Sequence, residues 1–229
     1  MKRTIVGMLS LLAVASLAFA ACAWDADFDP TSYNPGVDQQ IEFAVCETCL
    51  ESGATFTYAW DFNGDGLVDL ETGDPVIMHS FDAEGYYEVG LTVSDAGGRV
   101  KVQRKGILVG TKPAAAIREI MAQTDGTYLV LITIDTVNAA SAIGFQENMP
   151  RGWQMEIVDS GGSLTYANGE TRMLEVLWGS EFDAGEILTF TYRLHPAYES
   201  GLPSFFGQVS GYSNGDRFVG EICGDLMTQ

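Results

Sequence analysis

The chain is predicted to be all-β, an arrangement of antiparallel sandwiches behind an N-terminal export segment. Three observations predict this: a leader that reads as a secretory signal, strand-like alternation beyond it, and turn residues punctuating that alternation at close, regular spacing.

Met1-Lys2-Arg3 is a short basic start. Ile5 to Phe19 then forms an apolar run interrupted only by Gly and Ser, and Ala18-Phe19-Ala20 supplies an A-x-A cleavage pattern. Charged start, short apolar middle and small-residue exit define a signal segment over residues 1–21. A membrane-spanning helix needs roughly 20 apolar residues. This run is shorter and is followed soon by Asp25 and Asp27. Phe19-Ala20-Ala21-Cys22 also has the form of a lipobox, with Cys22 as the acylated residue, although Phe19 stands where an aliphatic residue is usual. Anchored and released forms both fit the sequence.

Beyond the leader no helical period is sustained. Gln40 to Val45, Thr55 to Trp60, Tyr87 to Val93 and Arg99 to Val109 alternate as half-buried strands do. Gly110-Thr111-Lys112-Pro113-Ala114-Ala115 breaks the pattern and is the expected domain boundary. Tyr128 to Ile134, Arg172 to Trp178, Ile187 to Leu194 and Phe205 to Tyr212 continue it. Ala114 to Met121 is read as an opening strand, with a helical turn as the alternative.

Charge narrows the partners. The chain carries 31 acidic and 12 basic residues, and losing Lys2 and Arg3 with the leader brings the formal charge to −21. Such a surface repels nucleic acid and anionic lipid, both of which need compensating positive charge. Membrane contact is therefore expected only through a lipid on Cys22.

Cys46-Glu47-Thr48-Cys49 is a C-x-x-C. A thioredoxin-like site needs a helix after it, and a zinc site needs a second ligand pair, whereas Leu50 to Gly53 turns straight toward another strand. In an oxidising compartment the expected reading is a Cys46–Cys49 disulfide stapling a loop. Cys223 is expected either to pair with an unlipidated Cys22 or to stay buried.

Tyr58 to Gly66 resembles the W-D-F-x-D-G core of PKD domains, with two extra residues. Later landmarks follow in order: His79-Ser80-Phe81, then the G-x-Y-x-V strand at Gly85 to Val89, then the V-x-D-x-x-G hairpin at Val93 to Gly98. The resemblance covers about residues 23–110 and implies an immunoglobulin-like sandwich, of a kind common in surface proteins and in accessory regions of secreted hydrolases. A second pattern resembles an Ig-like domain found beside PKD domains in prokaryotic surface and secreted proteins. It is carried by Phe145 to Trp153, Leu177-Trp178, Leu188 to Tyr192, Phe206 to Val209 and Gly220 to Asp225. A cohesin-like or carbohydrate-module sandwich is the competing assignment. The expected organisation is thus two tandem immunoglobulin-like β-sandwiches, residues 22–111 and 112–229, after the signal.

Trp60 is expected in the core, with Gly64 and Gly66 permitting the turn after it. That turn holds the candidate metal ligands. Asp61, Asn63, Asp65 and Asp69 occupy positions 1, 3, 5 and 9 of a loop with Gly66 at position 6, the opening of a Ca²⁺ loop. Position 12 is Thr72 rather than a bidentate Glu. The competing reading is a polar turn whose acids cap backbone N–H groups. His79 is expected to hydrogen-bond across the sandwich, with metal ligand or base as the functional alternative, and His195 to be structural. Trp153, Trp178, Tyr166, Tyr198 and Tyr212 are the candidates for an aromatic sugar platform, with Trp178 pointing inward by alternation.

No H-E-x-x-H, G-x-S-x-G or P-loop is present, and no catalytic residue is assigned. The expected function is non-catalytic binding or adhesion to protein or glycan on a cell surface or matrix. The alternative is a carbohydrate-binding or accessory module assisting a secreted hydrolase.

Overall fold

A computed structural model describes residues 25–149, 152–168, 172–196 and 205–226. The signal segment and Cys22 lie outside the described residues, as does Tyr198. Seven strands come first: β1 (Phe28–Pro30), β2 (Ile41–Val45), β3 (Phe56–Asp61), β4 (Leu70–Thr72), β5 (Val76–His79), β6 (Gly85–Asp95) and β7 (Val100–Val109). Ten follow. They are β8 (Ala114–Ala122), β9 (Tyr128–Thr136), β10 (Ala140–Asn148), β11 (Trp153–Asp159), β12 (Leu164–Asn168), β13 (Met173–Phe182), β14 (Ile187–Pro196), β15 (Gly207–Ser213), β16 (Asp216–Glu221) and β17 (Cys223–Leu226). Ala114 therefore opens a strand, not a helical turn.

Three sheets result, ordered β1-β2-β5, β12-β13-β10-β15-β16, and β11-β14-β9-β8-β17-β7-β6-β3-β4. The small sheet packs on the β7-β6-β3-β4 half of the long one and encloses the first core. Alternation builds it: β2 and β3 bury every second residue, so Ile41, Phe43, Val45, Phe56, Tyr58 and Trp60 share one interior. The fully buried Trp60 meets Phe28 and Phe43 edge-on at 5.1 and 5.7 Å and lies parallel to Phe62 at 5.9 Å. The five-stranded sheet closes over β8, β9 and β14 around a second core of Ile132, Ile134, Phe145, Trp178, Phe190 and Val209.

The long sheet is where the structure departs from a simple tandem. Sequence marks Gly110 to Ala115 as a break, yet β17 returns to fill the gap between β7 and β8. It pairs antiparallel with β7 (Gly224 opposite Gly106) and parallel with β8 (Cys223 opposite Ile117). One hydrogen-bonded sheet thus runs through both sandwiches.

Side chains reinforce that seam. Asp225 of β17 accepts from the Ile120 N–H at 2.8 Å through Oδ2, and its backbone oxygen accepts from Arg118 Nη1 at 3.2 Å. Its Oδ1 lies 3.3 Å from Lys105 Nζ, which also sits 3.1 Å from Asp27 and 3.0 Å from Asp29. Burial works against the Lys105 ammonium, but Asp225, Tyr33, Asp27 and Asp29 around it hold its pKa above the usual lysine value. A residue from the last strand is in this way tied to both sandwiches.

Candidate functional site

The Asp61–Asp69 loop is built from side-chain-to-backbone caps. Asp61 accepts from the N–H groups of Gly64 (2.7 Å) and Gly66 (2.9 Å), using one carboxylate oxygen for each. Asn63 accepts from Asp65 N–H at 2.9 Å, Asp65 from Leu67 N–H at 2.8 Å, and Asp69 from Phe62 N–H at 2.7 Å. The four candidate ligands are thus gathered in one loop, each engaged with the main chain. Among the described residues, no three His, Cys, Asp or Glu side chains cluster closely enough to hold a metal ion. Gly64 is required here: its φ is +74°, and a Cβ would stand 3.1 Å from the Glu88 carbonyl oxygen. Asp61→Ala orphans both glycine amides and is expected to destabilise the chain by about 1–2 kcal/mol in urea denaturation.

Cys46 and Cys49 are disulfide-bonded around the 3-10 turn Glu47–Cys49. Cys223 is a free, buried thiol, and burial pushes its pKa up to about 12, which makes it inert at neutral pH. Among the described residues, His79 does not make the expected cross-sandwich hydrogen bond. It stacks on Phe62 at 3.7 Å with the rings 3° from parallel, because its neighbours Phe43, Phe62 and Phe81 offer ring faces and edges. Burial pushes its imidazole pKa below the ordinary value, against an opposing pull from Asp69. His195 sits near the end of β14, half-buried, 3.1 Å from Glu156.

The aromatic candidates separate cleanly. Trp178 points inward and donates its indole N–H to the Gly161 carbonyl at 2.9 Å. Trp153 packs against the second core, 5.4 Å from Tyr128. Tyr166 and Tyr212 are exposed on the outer face of the five-stranded sheet, at 59% and 47%.

Tyr166 borders an open groove of about 400 Å³ on that face. Its floor is Ala142 and Gly144 of β10. Leu164 and Tyr166 of β12 and Leu177 of β13 make one apolar side, and Ser210 and Arg217 stand at the other. Strand register explains the grouping. Leu164 is paired with Leu177, Tyr166 with Glu175, and Gly144 with both Leu177 and Ser210. These residues share the outward phase of their strands, so the pleat aligns them across the face. Gln146 Nε2 donates to Glu175 Oε1 at 2.8 Å and fixes that carboxylate at the groove. A bulge in β10 lies at the floor. Register shifts between Ser141 and Ile143, with Ala142 in the left-handed region at φ 47°. Bulges of this kind re-aim strands beside functional surfaces.

Of the groove residues, sequence reasoning named only Tyr166 as a binding candidate; Gln146 and Leu177 entered as carriers of the Ig-like resemblance, and Leu164, Glu175, Ser210 and Arg217 were given no binding role. One signal was present: Leu177 lies in the solvent phase of a strand whose inward phase is set by Leu174, Val176 and Trp178, so it is an apolar residue facing out.

Two β-sandwiches that share a sheet, with a grooved outer face on the second, define a modular all-β protein. Residues 30–105 match the PKD domain family, and the first sandwich is a PKD domain. The same region is similar to part of collagenase ColA from Clostridium perfringens, 36% identical over 84 residues. That alignment covers 36% of this chain and only 7% of the collagenase, so this chain spans a small fraction of that relative. Among solved structures, a carbohydrate-binding module of the β-sandwich superfamily is similar at 13% identity. It covers 87% of this chain and 97% of the module with a TM-score of 0.35. The major pilin SpaD from Corynebacterium diphtheriae is similar at 8% identity, covering 74% of this chain and 59% of the pilin with a TM-score of 0.41.

Proposed function

We propose that the protein is an exported, non-catalytic binding module. In this reading the second sandwich presents the ligand-binding face and the PKD sandwich is a stiff spacer between that face and the N-terminal attachment. The observation that carries it is the groove, where an exposed aromatic, two exposed leucines and four polar side chains converge on rigid strands. The chain's two histidines are committed elsewhere, His79 to an aromatic stack and His195 to Glu156, which supports a role without chemistry. The seam through β17 supports the spacer role, because a shared sheet limits hinge motion. The signal segment and the lipobox at Cys22 support a location outside the cytoplasm, at the envelope if Cys22 is acylated. For that anchor, globomycin is expected to make the uncleaved, signal-bearing precursor accumulate in the membrane fraction; a soluble mature chain beginning at Ala21 refutes it.

The experiment is retention of the purified chain on whole cells, protein matrices and insoluble polysaccharides, with a Leu177→Asp variant beside it. Wild-type retention that the variant loses is expected. Equal retention of both removes the groove from the binding role. A second reading, an accessory module assisting a secreted hydrolase, is favoured by the similarity of the PKD region to a collagenase. It predicts retention on insoluble polymer without retention on cells.

For the Asp61–Asp69 loop, we propose that turn-locking is its principal role, with Ca²⁺ as the alternative ligand of Asp61, Asn63, Asp65 and Asp69. Calorimetric titration is expected to give no heat at millimolar Ca²⁺. A saturable one-ion isotherm that Asp65→Ala abolishes would establish the cation site instead.

A further inference from the structure

We infer that the groove on the β12-β13-β10-β15 face takes a neutral glycan chain. The inference rests on the binding-module reading above and specifies its ligand class.

The walls match the two-sided chemistry of a sugar ring. A pyranose has an apolar C–H face and a rim of hydroxyls that both donate and accept. Tyr166, Leu164 and Leu177 form a contiguous apolar shelf, with Leu164 72% exposed, suited to the C–H face. Around it stand Gln146, Glu175, Ser210 and Arg217, an acceptor-only group, a donor-only group and two that do both. Glu175 uses one oxygen to hold Gln146 and keeps the other for a hydroxyl. The outer-face register places Tyr212 beside Arg217, continuing an aromatic surface past the polar end of the groove.

Charge selects against the other polymers. The groove carries one carboxylate and one guanidinium, whereas the whole chain has a formal charge of −19. A sulfated or uronic-acid polymer would approach a strongly acidic body with a single local cation to receive it, which is unfavourable at long range. A neutral polymer meets no such barrier. A peptide strand fits poorly for another reason. Peptides dock on sheets chiefly by pairing with an exposed edge. The groove lies on a face, and β13, β10 and β15 beneath it are each paired on both sides. Size agrees, since about 400 Å³ falls toward the lower part of the range for small-molecule sites, roughly 300–1,000 Å³. The opening to solvent lets a longer chain run out at the ends.

The test uses the full mature chain in calorimetry and on an immobilised panel of neutral oligosaccharides, sulfated and uronic-acid oligosaccharides, and gelatin. Tyr166→Ala and Glu175→Gln serve as variants, with circular dichroism to verify folding. The expected result is binding to at least one neutral oligosaccharide, weakened tenfold or more by Tyr166→Ala and severalfold by Glu175→Gln. Neutral-glycan binding that both variants retain overturns the inference. So does binding confined to charged glycans or to gelatin. In that last case, loss of gelatin binding in Tyr166→Ala keeps the binding-module reading while removing the glycan. Retention that neither variant alters on any of the surfaces removes both.

Discussion

Glu147→Ala is expected to destabilise the protein by about 3–5 kcal/mol, the range for breaking a buried ion pair by deleting one partner. Glu147 is fully buried between the sheets of the second sandwich. Its Oε1 accepts from Arg118 Nε at 2.6 Å, and its Oε2 accepts from the Tyr192 hydroxyl at 2.6 Å. The Arg118 side chain is equally inaccessible and lies 5.0 Å from the Phe205 ring. Removing the carboxylate leaves a guanidinium in an apolar core with its main counter-charge gone. It also leaves a phenol without its acceptor. Burial, with Glu147's negative charge beside it, holds the Tyr192 pKa well above its ordinary value, so the hydroxyl stays protonated and always donates. The triple variant Arg118→Met, Glu147→Leu, Tyr192→Phe removes the polar atoms together and is expected to recover most of the loss, because no charge is then stranded. Urea denaturation of the single and triple variants decides the matter. A cost under about 1 kcal/mol for Glu147→Ala, or a triple variant no more stable than the single, would show that solvent reaches the pair.

That cluster also shows what was legible and what was not. Strand-period alternation identified β2, β3, β6 and β7 of the first sandwich and β9, β13, β14 and β15 of the second, and PKD motifs in register identified the first domain. The rule behind that reading assigns charged residues to solvent. Arg118 occupies the inward phase of β8 with Ala114 and Ala116, and Glu147 the inward phase of β10 with Phe145. Their pairing depends on a contact between different sheets, which local pattern does not carry. The groove was hidden for a related reason. Tyr166 could be named as an aromatic, but its neighbours come from β10, β13, β15 and β16, and only the register brings Leu177, Glu175, Ser210 and Arg217 beside it. The candidate Ca²⁺ loop, by contrast, is contiguous, so its grouping was readable directly. What could not be read was how Asp61 distributes its two oxygens between the amides of Gly64 and Gly66. His79 failed differently: its aromatic surroundings come from β2, the turn after β3 and the loop after β5, which turned an expected hydrogen bond into a stack.

Gly224→Ala is expected to cost about 2–5 kcal/mol and to uncouple the sandwiches. Gly224 has φ +84°, where an L-residue is disfavoured by roughly 1–2 kcal/mol. A Cβ there would also run into the backbone of Arg118, chiefly its carbonyl oxygen, adding the 1–3 kcal/mol typical of overpacking. The clash falls at the seam. Gly224 is paired with Arg118 on one side and with Gly106 on the other, and Tyr86 packs so closely over Gly106 that β7 has little room to retreat. The cheapest relief is for β17 to leave the sheet. That would release Asp225 from Ile120, Arg118 and Lys105 at once, and leave Asp27 and Asp29 as the remaining partners of the Lys105 ammonium. The cores would each survive, because their buried clusters are separate. Calorimetry is therefore expected to resolve one cooperative transition in the wild type and two in the variant, with faster proteolysis between Gly110 and Pro113. Two separate transitions already in the wild type would mean that the strand does not couple the sandwiches. The binding face would then hang from the PKD domain on a four-residue linker and lose the stiffness that the spacer role requires.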